Sequence, residues 1–212
     1  QSISHFCIRS HVNQQTMQTQ NLLFLPGASG DPEFWQPVAR LMPAAYRYTL
    51  QAYPGFAGCP ARPEISSLSQ LSDWIIGQIA QPTVIIAQSM GGIIAIQAAR
   101  RKPDAVRGLV LVATSGGLDV SALGATDWRT DYTLHMQHLP QWFVEAQANF
   151  TPNLARIQQP VLLLWGDADP ISPLAVGHAL QQQLPNAAFK VIRNGQHDLA
   201  NMHAQQVADH IA

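Results

Sequence analysis

The run Thr83-Val84-Ile85-Ile86-Ala87-Gln88 is apolar and β-branched, and it stops on Ser89, followed by Met90, Gly91 and Gly92. This is G-x-S-x-G with Ala87 in place of the first glycine, and the chemistry it points to is nucleophilic. A serine hydroxyl is a weak nucleophile at neutral pH, so it must be lifted out on a sharp strand-to-helix turn with a base beside it. Such a turn admits only small neighbours. Ala87 and Gly91 stand two positions before and after Ser89, and Gly92 lets the following helix approach the sheet. Two later stretches carry the partners such a serine needs. Val161–Trp165 reads as a buried strand delivering Asp167 and Asp169 at its end, and Asn194-Gly195-Gln196-His197 sets an imidazole just after another strand. A histidine can take the serine proton as the hydroxyl attacks a carbonyl and return it to the leaving group, while a carboxylate holds the ring in the right tautomer.

In order and in context, these stretches resemble the α/β-hydrolase family. A fourth stretch deepens the likeness: Leu22-Leu23-Phe24-Leu25-Pro26-Gly27-Ala28-Ser29-Gly30 is a hydrophobic strand ending in a glycine-rich loop, with Pro26 where the family usually has His. The resemblance covers roughly residues 20 to 212 and implies a catalytic triad of Ser89, Asp169 and His197. It further implies that the backbone amides of Ala28 and Met90 hold the oxyanion. Asp169 occupies the D of the family's G-x-x-D-x-x-x-P loop, which leaves its rival Asp167 a loop-capping role. His203 and His210 are rivals of His197 but are expected inside the final helix. The implied activity is that of a serine hydrolase cleaving a small or medium carboxylic ester through an acyl-enzyme, without a cofactor. The likeness is to small capped esterases, including the pimeloyl-ACP methyl ester esterases. Thioester hydrolysis, carbon–carbon bond hydrolysis and acyl transfer use similar triads and stay open. So does a non-catalytic ligand-binding homologue, against which the presence of all three triad members counts. Dehalogenases and epoxide hydrolases of this fold use an aspartate at the elbow, which Ser89 is not.

The elements that must position these groups alternate. After the Leu22–Leu25 strand, Asp31-Pro32-Glu33 reads as a helix start, with the helix running to about Met42. A strand from Tyr46 to Ala52 follows, then a helix capped by Ser66 or Ser67 with Leu68, Leu71, Ile75, Ile76 and Ile79 on its buried face. The nucleophile strand, a helix from about Met90 to Arg101, strands at Gly108–Ala113, Val161–Trp165 and Phe189–Ile192, and two terminal helices complete the series. Alternation of this kind predicts an α/β fold: a mostly parallel sheet of six to eight strands, helices on both faces, and ligands at the carboxyl ends of the strands. Residues 21–117 and 151–212 form the expected core.

Residues 118–150 break the rhythm and are expected to form a short helical cap, two helices meeting near Pro140. Trp128, Tyr132, Met136, Trp142 and Phe143 in it, together with Ser29, are the candidate substrate contacts. His135 and His138 share a helical face, but nothing is clearly placed beside them to complete a metal site. Residues 1–20 read equally as a hairpin, with strands Ser4–Arg9 and Thr16–Gln20, or as an upstream extension.

At 212 residues, 47% hydrophobic and 12% charged, the chain has too much apolar side chain for disorder and enough length for one core. Twelve basic and thirteen acidic residues spread without blocks leave no electrostatic footprint for nucleic acid. Acyl-carrier protein as a partner is weakly supported, since docking it would need exposed basic residues around the pocket and the cap offers only Arg129. Cys7 and Cys59 fit neither a disulfide framework nor a zinc pattern. No run approaches the roughly 20 apolar residues of a membrane span, so a cytoplasmic location is expected.

Overall fold

The computed structural model describes residues 19–142, 144 and 151–212, so the hairpin or extension expected over residues 1–20 lies outside the described residues up to residue 18. Among the described residues six strands form one sheet: β1 (Gln20–Leu25), β2 (Tyr46–Leu50), β3 (Thr83–Gln88), β4 (Val106–Val112), β5 (Val161–Gly166) and β6 (Ala187–Ile192). Every pairing is parallel, in the order β2-β1-β3-β4-β5-β6. The expected parallel α/β architecture is present. The order reverses between β1 and β3, because β1 leads to β2 on one side and β3 lies on the other. A crevice opens at the carboxyl ends of two strands at such a reversal.

Strict alternation along the strands sorts the core into two layers. Leu23, Leu25, Ile85, Ala87, Leu109, Leu111, Leu163 and Trp165 face α2 (Leu68–Gly77), α3 (Met90–Arg101) and α6 (Leu174–Gln183). Leu22, Phe24, Ile86, Val110, Val112 and Leu164 face α1 (Gln36–Ala39), α7 (Leu199–Met202) and α8 (Ala204–Ile211). Successive strand side chains point to opposite faces, so a strand apolar at every position must be covered on both. Of the two serines expected to cap α2, Ser67 does so, its Oγ accepting from Gln70 N at 3.1 Å.

Three local readings shift. Asp31 caps the expected start, its carboxylate accepting from Glu33 N at 2.9 Å. The cap opens a 3-10 turn, Pro32–Trp35, which passes into α1, and α1 ends at Ala39 and not near Met42. Pro37 has no N–H to carry a helix through from the preceding turn. Within 118–150, the described residues hold one helix, α4 (Arg129–His135), and Pro140 lies in a loop beyond it, while residues 143 and 145–150 are outside the described residues. A one-turn helix, α5 (Thr151–Leu154), then leads back to the sheet. His203 sits at the break between α7 and α8 and not inside a single terminal helix. Among the described residues no helix is long and apolar enough to cross a membrane.

The loop leaving β1 is clamped by two aromatic donors. Trp35 Nε1 donates to Leu25 O at 2.9 Å and the Tyr53 hydroxyl donates to Pro26 O at 2.7 Å, both buried. Burial pushes the Tyr53 phenol well above its ordinary pKa, so it keeps its proton and stays a donor. Tyr53→Phe strands the Pro26 carbonyl without that donor, and the expected cost is about 1–3 kcal/mol. Urea denaturation checks this: the midpoint should fall with the slope unchanged, and an unchanged midpoint would mean that another group satisfies the carbonyl.

Candidate active site

Ser89 directly follows β3, and its backbone is strained, with φ 51° and ψ −121°. A non-glycine residue rarely adopts positive φ and holds it only where its surroundings over-determine it. Here Ser89 N donates to Val112 O at 2.9 Å, which ties the turn to β4. Its carbonyl accepts from Gly92 N at 2.9 Å and from the Thr114 hydroxyl at 2.6 Å. Gly91 is required: a Cβ there would lie 2.6 Å from Pro26 O and 2.8 Å from Leu25 O. The small residue two places after the serine thus lets α3 start against the end of β1.

The strand ends bring the three candidate side chains together. His197 Nε2 lies 3.0 Å from Ser89 Oγ, and His197 Nδ1 lies 2.9 Å from Asp169 Oδ2. A carboxylate oxygen only accepts, so Nδ1 carries the ring proton and Nε2 presents its lone pair to the serine hydroxyl. The other Asp169 oxygen accepts from Ile171 N at 2.8 Å and Ser172 N at 3.0 Å, and its side chain is fully buried. Those amides fix the carboxylate independently of the imidazole. The His197 side chain keeps 24% of its exposure, enough to exchange a proton with an incoming group.

Asp167 stands apart from this row. It accepts from Asn194 N at 2.6 Å, tying the loop after β5 to the turn that carries His197. Gln88, 5% exposed, adds a second tie by donating from Nε2 to His197 O at 3.1 Å. Its amide therefore holds the histidine loop at the elbow. Thr114 is the residue that sequence reasoning missed: it follows β4 with no motif around it, and only the fold reveals what its hydroxyl touches.

Ala28 and Met90 are the expected main-chain donors, in the loop after β1 and directly after Ser89. Met90 N is the first amide of α3, where no intrahelical acceptor exists. Ala28 lies in the loop turned by the Gly30 N to Gly27 O bond of 3.0 Å. Among the candidate substrate contacts, Ser29 Oγ accepts from Asp31 N at 3.3 Å, a turn contact. Trp142 packs edge-on against Phe56, centroids 6.0 Å apart, and Phe56 in turn occupies the space a Cβ on Gly30 would need. Trp128 packs edge-on against buried Tyr132 at 5.7 Å, and the Tyr132 phenol, its pKa pushed up by burial, donates to Pro140 O at 3.4 Å. Met136 is exposed at the end of α4, and Phe143 lies outside the described residues. Thr126 N donates to Pro170 O at 2.9 Å, pinning this segment to the loop that holds Asp169.

An imidazole held between a carboxylate and a serine hydroxyl in this way can take the serine proton as the hydroxyl attacks a carbonyl. A family profile described as the alpha/beta hydrolase family matches residues 22–143, more than half of the chain, and a second, described as alpha/beta hydrolase fold, matches 121–200. The chain is 34% identical over 99 residues to a pimeloyl-[acyl-carrier protein] methyl ester esterase of Aromatoleum aromaticum, matching 47% of this chain and 39% of that relative. It is 27% identical over 212 aligned residues to the enzyme of the same name from Neisseria meningitidis serogroup B, covering 79% of this chain and 81% of the relative. A lipase-esterase related protein from Clostridium acetobutylicum shares the fold with a TM-score of 0.75 at 17% identity, over 91% of this chain and 93% of that one.

The two carboxylates separate in a labelling experiment with a fluorophosphonate that modifies an activated serine. Asp169→Ala should slow Ser89 modification by about 10⁴-fold, because the imidazole loses its tautomer and orientation. Asp167→Ala should slow it only a few-fold, since its contact is to a backbone amide. Equal losses would transfer the orienting role to the loop as a whole.

Proposed function

The chain belongs to the alpha/beta hydrolase family, and from that premise we propose that it is a serine esterase in which Ser89, His197 and Asp169 form the catalytic triad. The observation that carries this reading is the continuous hydrogen-bonded row from Asp169 through His197 to Ser89, 2.9 and 3.0 Å long, which ends on the serine at the strand reversal. Ser89 attacks the ester carbonyl as His197 Nε2 takes its proton, and the tetrahedral oxyanion is held by the amides of Ala28 and Met90. His197 then protonates the departing alcohol, and water releases the acid from the acyl-enzyme by the same steps. The side chains and amides of the chain carry these steps without a cofactor.

Residues 118–150 act in this reading as a cap inserted between the core segments 21–117 and 151–212. Trp128, Tyr132 and Trp142, with Met136, flank the acyl group, and Ser29 borders the oxyanion loop. The Aromatoleum and Neisseria relatives act, by their names, on an ester borne by an acyl-carrier protein. In this chain Arg62 and Arg129 each face an acid of their own, Glu64 at 3.2 Å and Asp127 at 3.6 Å. These pairs are exposed and do not decide between substrates; because the cap segment offers a carrier a single basic side chain, Arg129, a free small or medium acyl ester is the substrate class we favour.

A series of p-nitrophenyl esters of graded chain length, set beside acyl thioesters and a carrier-bound methyl ester, tests the reading. The wild type should turn over short to medium oxygen esters fastest, and Ser89→Ala or His197→Ala should each lower kcat by about 10⁶-fold. Faster turnover of thioesters would make it a thioesterase. No turnover, with Ser89 unlabelled in folded wild type, would leave a ligand-binding homologue.

A further inference from the structure

We infer that Thr114 is a positioning residue of the oxyanion site, aiming the Met90 N–H through the Ser89 carbonyl; this rests on the reading of Ser89 as nucleophile. The carbonyl of Ser89 and the amide of Met90 belong to one peptide unit. That unit is planar, and in the trans form its C=O and N–H point in opposite directions. Whatever holds the oxygen therefore also sets where the N–H points. The Ser89 oxygen accepts from the Thr114 hydroxyl at 2.6 Å and from Gly92 N at 2.9 Å.

The hydroxyl proton has a defined direction. Thr114 Oγ1 itself accepts from Gly116 N at 3.0 Å, so that side of the oxygen is occupied and its own proton goes to Ser89. Thr114 is 1% exposed, which keeps solvent from competing for either bond. Gly92 makes the approach feasible, since a Cβ there would run into the Thr114 side chain. Ala113, just before it, takes φ 48°, turning the chain out of β4 toward the elbow. The other oxyanion donor is aimed in the same manner but by backbone alone: Gly27 O, in one peptide unit with the Ala28 N–H, accepts from Gly30 N at 3.0 Å. The Met90 donor is aimed by the Gly92 amide and, in addition, by a side chain, whose share a substitution can remove.

Thr114→Val keeps the shape and deletes the hydroxyl, whereas Thr114→Ser keeps the hydroxyl and deletes a methyl. With p-nitrophenyl butyrate, Val should lower kcat by roughly 10- to 100-fold, less than loss of an oxyanion donor outright, with KM within about twofold. Inhibition by a trifluoromethyl ketone, which forms the oxyanion, should weaken by the same factor, and Ser should restore kcat to within about threefold of wild type. A purely structural role would not single out the oxyanion analogue or spare the serine variant. Full kcat in the valine variant, or equal losses in the two variants, would overturn the inference. The Ser89 carbonyl ¹³C and Met90 amide resonances report the peptide without any substrate. If the wild type hydrolyses no ester, their displacement in Val and not in Ser supports the positioning and puts the failure on the esterase reading, while unmoved resonances refute the positioning itself.

Discussion

A single residue is held in a conformation it would not choose, and the rest of the site is arranged around that fact. Ser89 at φ 51° and ψ −121° costs on the order of 1–3 kcal/mol relative to an unstrained turn, a sizeable share of the roughly 5–15 kcal/mol by which domains are stable. The strain lifts the hydroxyl clear of the strand and toward His197. It persists because β4 receives the Ser89 amide, Gly92 and Thr114 donate to its carbonyl, and Gly91 lets α3 begin against the end of β1. None of these contacts offsets the cost alone. Together they leave the residue no competing conformation of similar energy.

Ser89, Asp169 and His197 follow three separate strands, so the loops that carry them must also be fixed to each other. Side chains make most of these ties, and their targets are backbone groups. Gln88 reaches from β3 to the His197 carbonyl, Asp167 from the β5 loop to the Asn194 amide, and Tyr53 and Trp35 to the carbonyls leaving β1. A backbone partner is a sound choice physically, because it has no rotamers of its own to lose. Each bond is worth only about 0.5–1.5 kcal/mol net, but a buried carbonyl deprived of its donor costs more. The loops are therefore held as much by the penalty for letting go as by the attraction itself.

The sheet and the three side chains at its rim were legible in the sequence because both depend on short-range patterns. A β-branched run ending on Ser89, or a Val-Leu-Leu-Leu-Trp run ending on Gly166 and Asp167, records a buried strand and the loop after it in consecutive residues. The carboxylates were separable for the same reason, by their offset from Gly166 and Pro170. Thr114 was not legible: its role depends on β3 and β4 being neighbours with a particular register, and no local pattern around it records that pairing. Gln88 presents the same difficulty over 109 residues. The shortened α1 is a different kind of miss: the capping signal at Asp31 was sound, but it opens a 3-10 turn, and Pro43 disfavours helical backbone at Met42, where the apolar spacing would have carried the helix.

The same two scales divide the molecule. Ser89, Asp169 and His197 follow strands of the sheet, whereas Trp128, Tyr132 and Trp142 lie outside it and pack through their rings. One such contact bears on the loop after β1 directly. Trp142 lies against Phe56, and Phe56 fills the space beside Gly30, whose amide closes the turn that aims the Ala28 N–H. A larger residue at position 30 would collide with Phe56, and its φ of 60° also favours glycine. The path from Trp142 to the Ala28 amide is thus two aromatic rings and one tight turn long. Packing in the cap segment and the aim of that amide are set by the same few contacts, so a change in the shape of one is felt at the other.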